Sequence, residues 1–162
     1  MKDIYEEISS KGVHYGDMTK QIMNLFSRQE ERGANVTKQD DKFFSQLWQA
    51  YAWTAIIGFI KDKREVGIEL NHKTSFKYFT VLNNSDDIAN ALILMAISKV
   101  KGDTSKEILN TRNLLTIISE YAEGGAKHIL EIRETQPTKF NHTDDFLYEI
   151  IQRVNNKEKE LA

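Results

Sequence analysis

An apolar seam with the repeat of an α-helix runs through two adjacent glycines in the last third of the chain. Steps of three and four residues stay on one helix face, and the seam contains Ile108, Thr111, Leu115, Ile118, Ala122, Gly125, Ile129 and Ile132. A glycine in a helix interior costs about 1 kcal/mol relative to alanine, but its lack of a Cβ lets another backbone approach closely. We therefore predict a helix that crosses a neighbour at short range, with helix-packing positions at Gly125, Gly58 and Ala122.

The glycine pair also permits a second interpretation. Glycine often follows a helix end, so Gly124 could end one helix while another begins near Ala126. The unbroken phase of the seam, and the lack of a proline or a new capping residue directly after the pair, favour a continuous helix. That helix must end before Pro137, the single proline of the chain, because proline cannot continue a helix.

Helical periodicity recurs throughout the 162 residues, while strand-like alternation is scarce. We predict an all-α fold, a compact bundle of five to six helices around a central buried helix at about residues 38–60. This helix carries two adjacent apolar stripes, one of Phe43, Leu47, Tyr51, Ala55 and Gly58 and one of Phe44, Trp48, Ala52, Ile56 and Phe59. Several neighbours must bury a helix that is apolar over so much of its circumference, and Trp53 between the stripes is also predicted to be core.

Shorter apolar repeats predict the remaining helices, at residues 3–9, about 17–33, 86–100 and 143–154. Residues that cap helix ends support several starts. These patterns are Thr37 before the central helix, Asn83, Asn84 or Ser85 before residue 86, and Thr104-Ser105-Lys106-Glu107 before the glycine helix. The end of the chain, residues 155–162, is predicted to be a charged tail.

Residues 61–82 are the irregular part of the sequence, opening on charges and closing on aromatic and β-branched residues. Such a cluster is compatible with a short strand, half of a hairpin or a packed loop, and periodicity does not choose among them. If a short β-hairpin exists, we expect it here, with Asn71-His72-Lys73 as its turn.

Composition indicates one folded domain, residues 1–162, because 40% of the residues are hydrophobic and 28% are charged. The net charge of −2 provides no overall attraction to nucleic acid or anionic membranes. The chain has no cysteine, which excludes disulfides and thiolate metal sites and fits a reducing cytoplasm. The acidic start does not resemble a signal peptide, and the apolar run at 51–60 is too short for a membrane span, which needs about 20 residues.

No catalytic, metal or cofactor motif stands out. The histidines, His14, His72, His128 and His142, do not pair at helical spacing, and the chain contains neither HExxH nor a glycine-rich phosphate loop. Pairs of aspartates at 40–41, 86–87 and 144–145 fall at predicted helix starts, where the helix dipole explains them. We therefore expect no metal, no cofactor and no catalytic residue, and an enzyme is disfavoured.

A basic and aromatic cluster is the one candidate nucleic-acid site. Its cations are Lys61, Lys63, Arg64, Lys73 and Lys77, and Phe76, Tyr78 and Phe79 lie among them. Cations bind phosphates and aromatic rings stack on bases. The opposing interpretation is that Asp62, Glu65 and Glu69 dilute the charge, and that the first cations only complement the C-terminal dipole of the central helix.

Two stretches resemble a known family. LWQAYAWTAIIGFIKDKRE, residues 47–65, and SEYAEGGAKHILEI, residues 119–132, are similar to segments of the DNA phosphorothioation-associated protein 4 family. The resemblance implies an accessory role in bacterial systems that place sulfur in the DNA backbone and restrict DNA lacking it. It implies no catalytic residues. The chain differs from the family at Glu65-Val66, where a proline is expected soon after the arginine.

Two functional hypotheses follow. The first is a non-catalytic accessory or adaptor subunit of a DNA-modification, restriction or antiphage defence complex, with residues 61–82 and the C-terminal helix as candidate protein-protein contact surfaces. The second is a DNA-binding regulator or adaptor that uses Lys61, Lys63 and Arg64. If the protein binds DNA, phosphate contacts should make its affinity for DNA fall steeply as the salt concentration rises. Binding to a protein partner through an apolar interface need not depend on salt in this way.

Overall fold

The computed structural model of the protein describes residues 4–28, 43–77, 85–101 and 110–161. These residues form six helices and two short strands. In chain order the elements are α1 (Ile4–Ser9), β1 (Gly12–Tyr15), α2 (Asp17–Phe26), α3 (Leu47–Ile60), β2 (His72–Lys77), α4 (Asp86–Ser98), α5 (Thr111–Thr135) and α6 (Thr143–Leu161). The predicted helical bundle around a central buried helix is confirmed, and a two-stranded antiparallel sheet accompanies it.

The centre of the fold is the crossing of α3 and α5. Helix α5 passes through Gly124 and Gly125 without a break, so the continuous helix is confirmed and the alternative end at Gly124 is wrong. A Cβ on Gly125 would lie 1.9 Å from the carbonyl oxygen of Thr54, and a Cβ on Gly58 would lie 2.0 Å from that of Tyr121. Each glycine thus admits the backbone of the opposite helix, because any side chain would occupy the space of its carbonyl group.

Gly124 serves a different neighbour from Gly125. A Cβ at Gly124 would lie 2.1 Å from the carbonyl oxygen of Lys63, in the segment that follows α3. Gly125 therefore contacts helix α3, and Gly124 contacts the segment that follows α3. Ala122, also on this part of α5, is completely buried.

Helix α3 begins later than predicted, at Leu47 rather than near residue 38. Residues 38–42 and Thr37 lie outside the described residues, but Phe44 is extended: its N–H donates to the carbonyl of Phe26, and its carbonyl accepts from Arg28 N–H. Gln46 then caps the helix in a reciprocal pair with Gln49. Pairing with the end of α2 holds this backbone in an extended form that apolar periodicity does not reveal.

Helix α2 ends earlier than the predicted residue 33. Its last residue is Phe26, and Ser27 is extended and pairs with Phe44. Residues 29–42 lie outside the described part. The bridge between Ser27 and Phe44 therefore fixes both the end of α2 and the approach to α3.

The other helix ends match the sequence more closely. Ser85 Oγ accepts a hydrogen bond from Ile88 N–H at the start of α4, with Asp86 and Asp87 in the first turn as predicted. Helix α5 starts at Thr111 with Asn110 as its cap, whereas the predicted start at 104–108 lies outside the described residues. Helix α6 continues to Leu161, so most of the predicted tail is helical. Its lysines and glutamates are good helix formers.

The sheet joins two segments that are far apart in sequence. Strand β1 pairs antiparallel with β2, with Tyr15 opposite His72 and His14 opposite Lys73. The predicted hairpin turn at Asn71-His72-Lys73 is therefore wrong, because His72 and Lys73 are in a strand whose partner precedes α2. Val13 and Tyr15 alternate inward and are buried, and β1 packs against α5.

We expect Gly125→Ala to destabilise the protein by about 3 kcal/mol, because overpacking adds to the displacement of a backbone contact. Helix propensity alone would give the opposite sign, a gain of about 1 kcal/mol. Urea denaturation monitored by circular dichroism measures the free energy of unfolding.

Gly12→Ala is the matched control, because its Cβ would meet the flexible end of Lys73 rather than backbone. We expect it to change stability by less than about 0.5 kcal/mol. A Gly125→Ala variant as stable as the native protein would show that the two helices do not cross this closely.

Candidate functional site

Two of the five basic residues predicted to bind nucleic acid, Lys61 and Arg64, pair with carboxylates of the protein. Lys61 Nζ lies 3.1 Å from Glu149 Oε2, and Arg64 Nε donates to Glu120 Oε2 at 2.7 Å. Lys63 and Lys73 are exposed, on the loop after α3 and on β2 respectively, and the side chain of Lys77 lies outside the described part. Lys61 and Arg64 thus bind buried carboxylates of the protein itself.

Glu120 fastens the segment that follows α3 to α5. The carboxylate, which is buried, accepts from Arg64 and from the N–H of Gly67, and the backbone carbonyl of the same residue accepts from Glu65 N–H. The Arg64 guanidinium also lies over the Tyr121 ring, 5.7 Å from its centroid. Residues 61–67 are therefore held in place, with Lys61 and Arg64 turned to carboxylates of the protein and Asp62 and Lys63 exposed.

A second bond ties this segment to α5 near the surface. Lys127 Nζ donates to Glu65 Oε1 at 3.1 Å, and this hydrogen bond with Glu65 raises the pKa of Lys127. Ion pairs this exposed are worth little stability. The pair orients the segment more than it stabilises the fold.

Glu149 is buried and has three partly buried nitrogen partners, Lys61, Lys139 and His128. One carboxylate oxygen is 3.1 Å from Lys61 Nζ and 3.3 Å from His128 Nε2, and the other is 2.8 Å from Lys139 Nζ. Burial alone would raise the pKa of Glu149, but hydrogen bonds from Lys139, Lys61 and His128 outweigh it and lower the pKa to about 2. The cluster joins the end of α3, helix α5 and helix α6.

Glu123 caps a helix that is distant in sequence. Its carboxylate accepts from the N–H groups of Met18 and Thr19, at 2.9 and 3.0 Å, and from Thr19 Oγ1 at 2.7 Å. Gly16 at the N-cap has no side chain to do this, and a Cβ there would lie 2.5 Å from the Glu123 carboxyl carbon. A carboxylate from α5 therefore satisfies the first N–H groups of α2 and complements the helix dipole.

Helix α6 presents an apolar surface to solvent. Phe146, Glu149 and Ile150 face the protein, whereas Leu147, Tyr148 and Ile151 are 46%, 54% and 43% exposed. We call Leu147, Tyr148 and Ile151 the α6 face. Leu147 and Ile151 are exposed although they belong to the apolar repeat of this helix, because α6 packs mainly against α3 and covers only one side. The Val154 side chain lies outside the described part.

Aromatic rings hold the beginning of α6 on the protein. Phe146 is buried, and its ring contacts five others, with centroid distances from 5.0 to 6.3 Å: Phe26, Phe43, Phe44, Trp53 and Phe140. Aromatic pairs in these edge-on arrangements stabilise beyond the area that they bury. Helix α6, which carries the α6 face, is thus held on the protein by apolar contacts at Phe146 and by polar contacts at Glu149.

Sequence reasoning missed one set of basic residues. Lys11, His14 and Arg112 line a cleft together with Lys73, although they lie in the α1–β1 connection, β1 and α5. Their charge was visible in the sequence, but no spacing relates them; the packing of β1 on α5 brings them near each other, and the pairing of β1 with β2 adds Lys73. Among the described residues, no cluster of three histidine, aspartate or glutamate side chains has metal-site geometry.

The stability supplied by Glu149 should depend on pH. The pKa of about 2 in the folded state lies below the ordinary value of 4.5, so this contribution is complete above pH 4.5 and is lost as the pH falls toward 2. We expect Glu149→Gln to be less stable than the native protein at pH 7, with the difference shrinking over that interval. Glu160→Gln, at an exposed position of α6, is the control, and urea denaturation at several pH values is the measurement. A difference that stays constant down to pH 2 would contradict the cluster.

Comparison with protein-family models, with curated proteins and with solved structures finds no match to this chain. Within the described ranges, none of the helices has the length and apolar character needed to cross a membrane. The geometry of the described residues and the two sequence stretches given above are therefore the basis of a functional proposal.

Proposed function

We propose that this protein is a non-catalytic accessory or adaptor subunit of a bacterial DNA-modification or antiphage defence system, acting in the cytoplasm through protein-protein contacts. The observation that carries the proposal is the α6 face, where Leu147, Tyr148 and Ile151 are exposed side by side. The type of system comes from the resemblance of residues 47–65 and 119–132 to the DNA phosphorothioation-associated protein 4 family.

The α6 face has the properties of a protein-binding surface. Leu147 and Ile151 are four residues apart and Tyr148 and Ile151 three apart, so the side chains are neighbours on the helix. Tyrosine is enriched among the residues that dominate binding energy. The face is also organised before binding, since Phe146 and Glu149 fix the helix beneath it, and a preorganised surface loses less entropy on association.

The buried glutamates support a structural role for the interior charges. Glu120, Glu123 and Glu149 are each buried and each accept several hydrogen bonds from cations or backbone N–H groups. These contacts satisfy the carboxylate oxygens and connect distant segments. The buried glutamates among the described residues therefore hold segments of the fold together.

DNA binding through Lys61, Lys63 and Arg64 has less support as an alternative. Lys61 and Arg64 have carboxylate partners at 3.1 and 2.6 Å. To bind phosphate, each side chain would have to leave its carboxylate, because the carboxylate neutralises the charge of a cation that stays paired. Lys63 is the exposed member of this set. Lys63→Glu is the informative substitution, because changing Arg64 would also release the loop from Glu120.

We expect the double variant Leu147→Glu and Ile151→Glu to recover at least tenfold less partner protein than the native chain, because two charges would enter an apolar contact. The tagged protein would be expressed in its native host and recovered proteins identified and quantified by mass spectrometry. Native protein should recover components of a DNA-modification or restriction complex, and recovery should persist at high salt.

Leu94→Glu provides the control, because Leu94 is an apolar residue on α4 that is more exposed than Leu147 and Ile151. It should recover partners at the native level, and circular dichroism should show that all variants are folded. Equal recovery by the double variant and the native protein would contradict the α6 face as the contact. Recovery that disappears at moderate salt and in Lys63→Glu would favour the DNA-binding alternative.

A further inference from the structure

A cleft of about 570 Å³ opens between α1, the sheet and the first half of α5. Its lining comes from the α1–β1 connection, β1, the segment into and including the start of β2, and α5. Sites for small molecules usually fall between about 300 and 1,000 Å³. The cleft is therefore of a size to enclose a small organic molecule.

The charge of the cleft is one-sided. Lys11, Lys73 and Arg112 are exposed cations on three different elements, and the described lining contains no carboxylate. None of the three forms an ion pair with a described residue, whereas Lys61, Arg64, Lys127 and Lys139 all do. In a protein of net charge −2, three cations left together around one concavity indicate an anionic ligand.

Gly12 leaves space for the side chain of Lys73. A Cβ on Gly12 would lie 2.9 Å from Cε of Lys73, so the lysine chain runs across the glycine on the neighbouring strand. Strand pairing holds Lys73 opposite His14, which also lines the cleft. The position of this ammonium group thus depends on the same pairing that forms the cleft.

The hydroxyl groups of the cleft already form hydrogen bonds within the protein. Ser10 donates to the carbonyl of Glu7, Thr116 to that of Arg112, and the hydroxyl of Ser119 pairs with that of Tyr51. The donors that remain for a ligand are mainly the ammonium and guanidinium groups, which bind phosphate oxygens strongly. Leu70 and Leu115 are only half-buried and add apolar wall beside these cations.

We propose that this cleft binds a small phosphorylated organic molecule, with its phosphate on Lys11, Lys73 and Arg112 and its body against Leu70 and Leu115. Three cations suit a multiply charged phosphate better than a single carboxylate. A half-open cleft of this volume suits a small molecule better than a nucleic-acid strand, which needs a continuous basic groove. The site is separate from the α6 face, and its occupancy is independent of the proposed adaptor function.

Isothermal titration calorimetry of the purified full chain tests the proposal with inorganic pyrophosphate, ATP and a short oligothymidylate as probes. We expect saturable binding of ATP, weaker binding of pyrophosphate because it lacks a body for the apolar wall, and weaker binding of the oligonucleotide. The ATP affinity should fall at least tenfold in Arg112→Gln and in Lys73→Gln, since each removes one charged donor.

Lys63→Gln is the matched control, because it removes the same charge from an exposed residue outside the cleft. It should keep the ATP affinity within twofold, and thermal melts should show that the three variants fold alike. Lack of binding by ATP and pyrophosphate would overturn the proposal. So would equal affinities in Arg112→Gln and Lys63→Gln, or tighter binding of the oligonucleotide than of ATP.

Discussion

The close approach of α3 and α5 is the contact on which the rest of the structure depends. At Gly58 and Gly125 the backbone of each helix occupies the space that the other's side chain would need. Two helices packed at so short a distance bury the small residues between them and leave the larger side chains of each to pack outward against other elements. The position of α5 then determines where its carboxylates lie, and these carboxylates hold several segments that do not neighbour α5 in sequence.

Buried glutamates connect the crossed helices to other segments of the protein. From α5, Glu123 satisfies the first N–H groups of α2 and Glu120 binds the loop after α3, while Glu149 of α6 joins Lys61, Lys139 and His128. A buried carboxylate is tolerable when hydrogen bonds and cations surround it, and removing its partners is costly. The same contacts decide which surface charges remain available. Lys61 and Arg64 are used inside the protein, whereas the α6 face stays exposed and Lys11, Lys73 and Arg112 have no ion pair with a described residue.

The two surfaces differ in how they are built. The α6 face lies on one helix, so its members are related by helical spacing and its rigidity comes from Phe146 beneath it. The cleft takes its cations from three elements, and its shape depends on the β1–β2 pairing and on the position of α5. An apolar helix face is suited to a protein partner, whereas converging cations around a concavity are suited to a phosphorylated ligand. The two proposed recognition surfaces therefore differ in their physical chemistry.

Local sequence determined the helical class, the uninterrupted α5, the start of α4 at Ser85 and the glycines of the crossing. Each of these follows from contacts within a few residues or from the repeat of a single helix. Only the tertiary structure decided where α2 ends and α3 begins, that β2 pairs with β1, which carboxylates bind Lys61 and Arg64, and that Lys11, Lys73 and Arg112 share a cleft. These outcomes depend on partners far apart in the chain, such as Thr19 and Glu123 at a separation of 104 residues. A local pattern contains no information about which distant group will satisfy an exposed N–H or a charge, because that choice is made by packing.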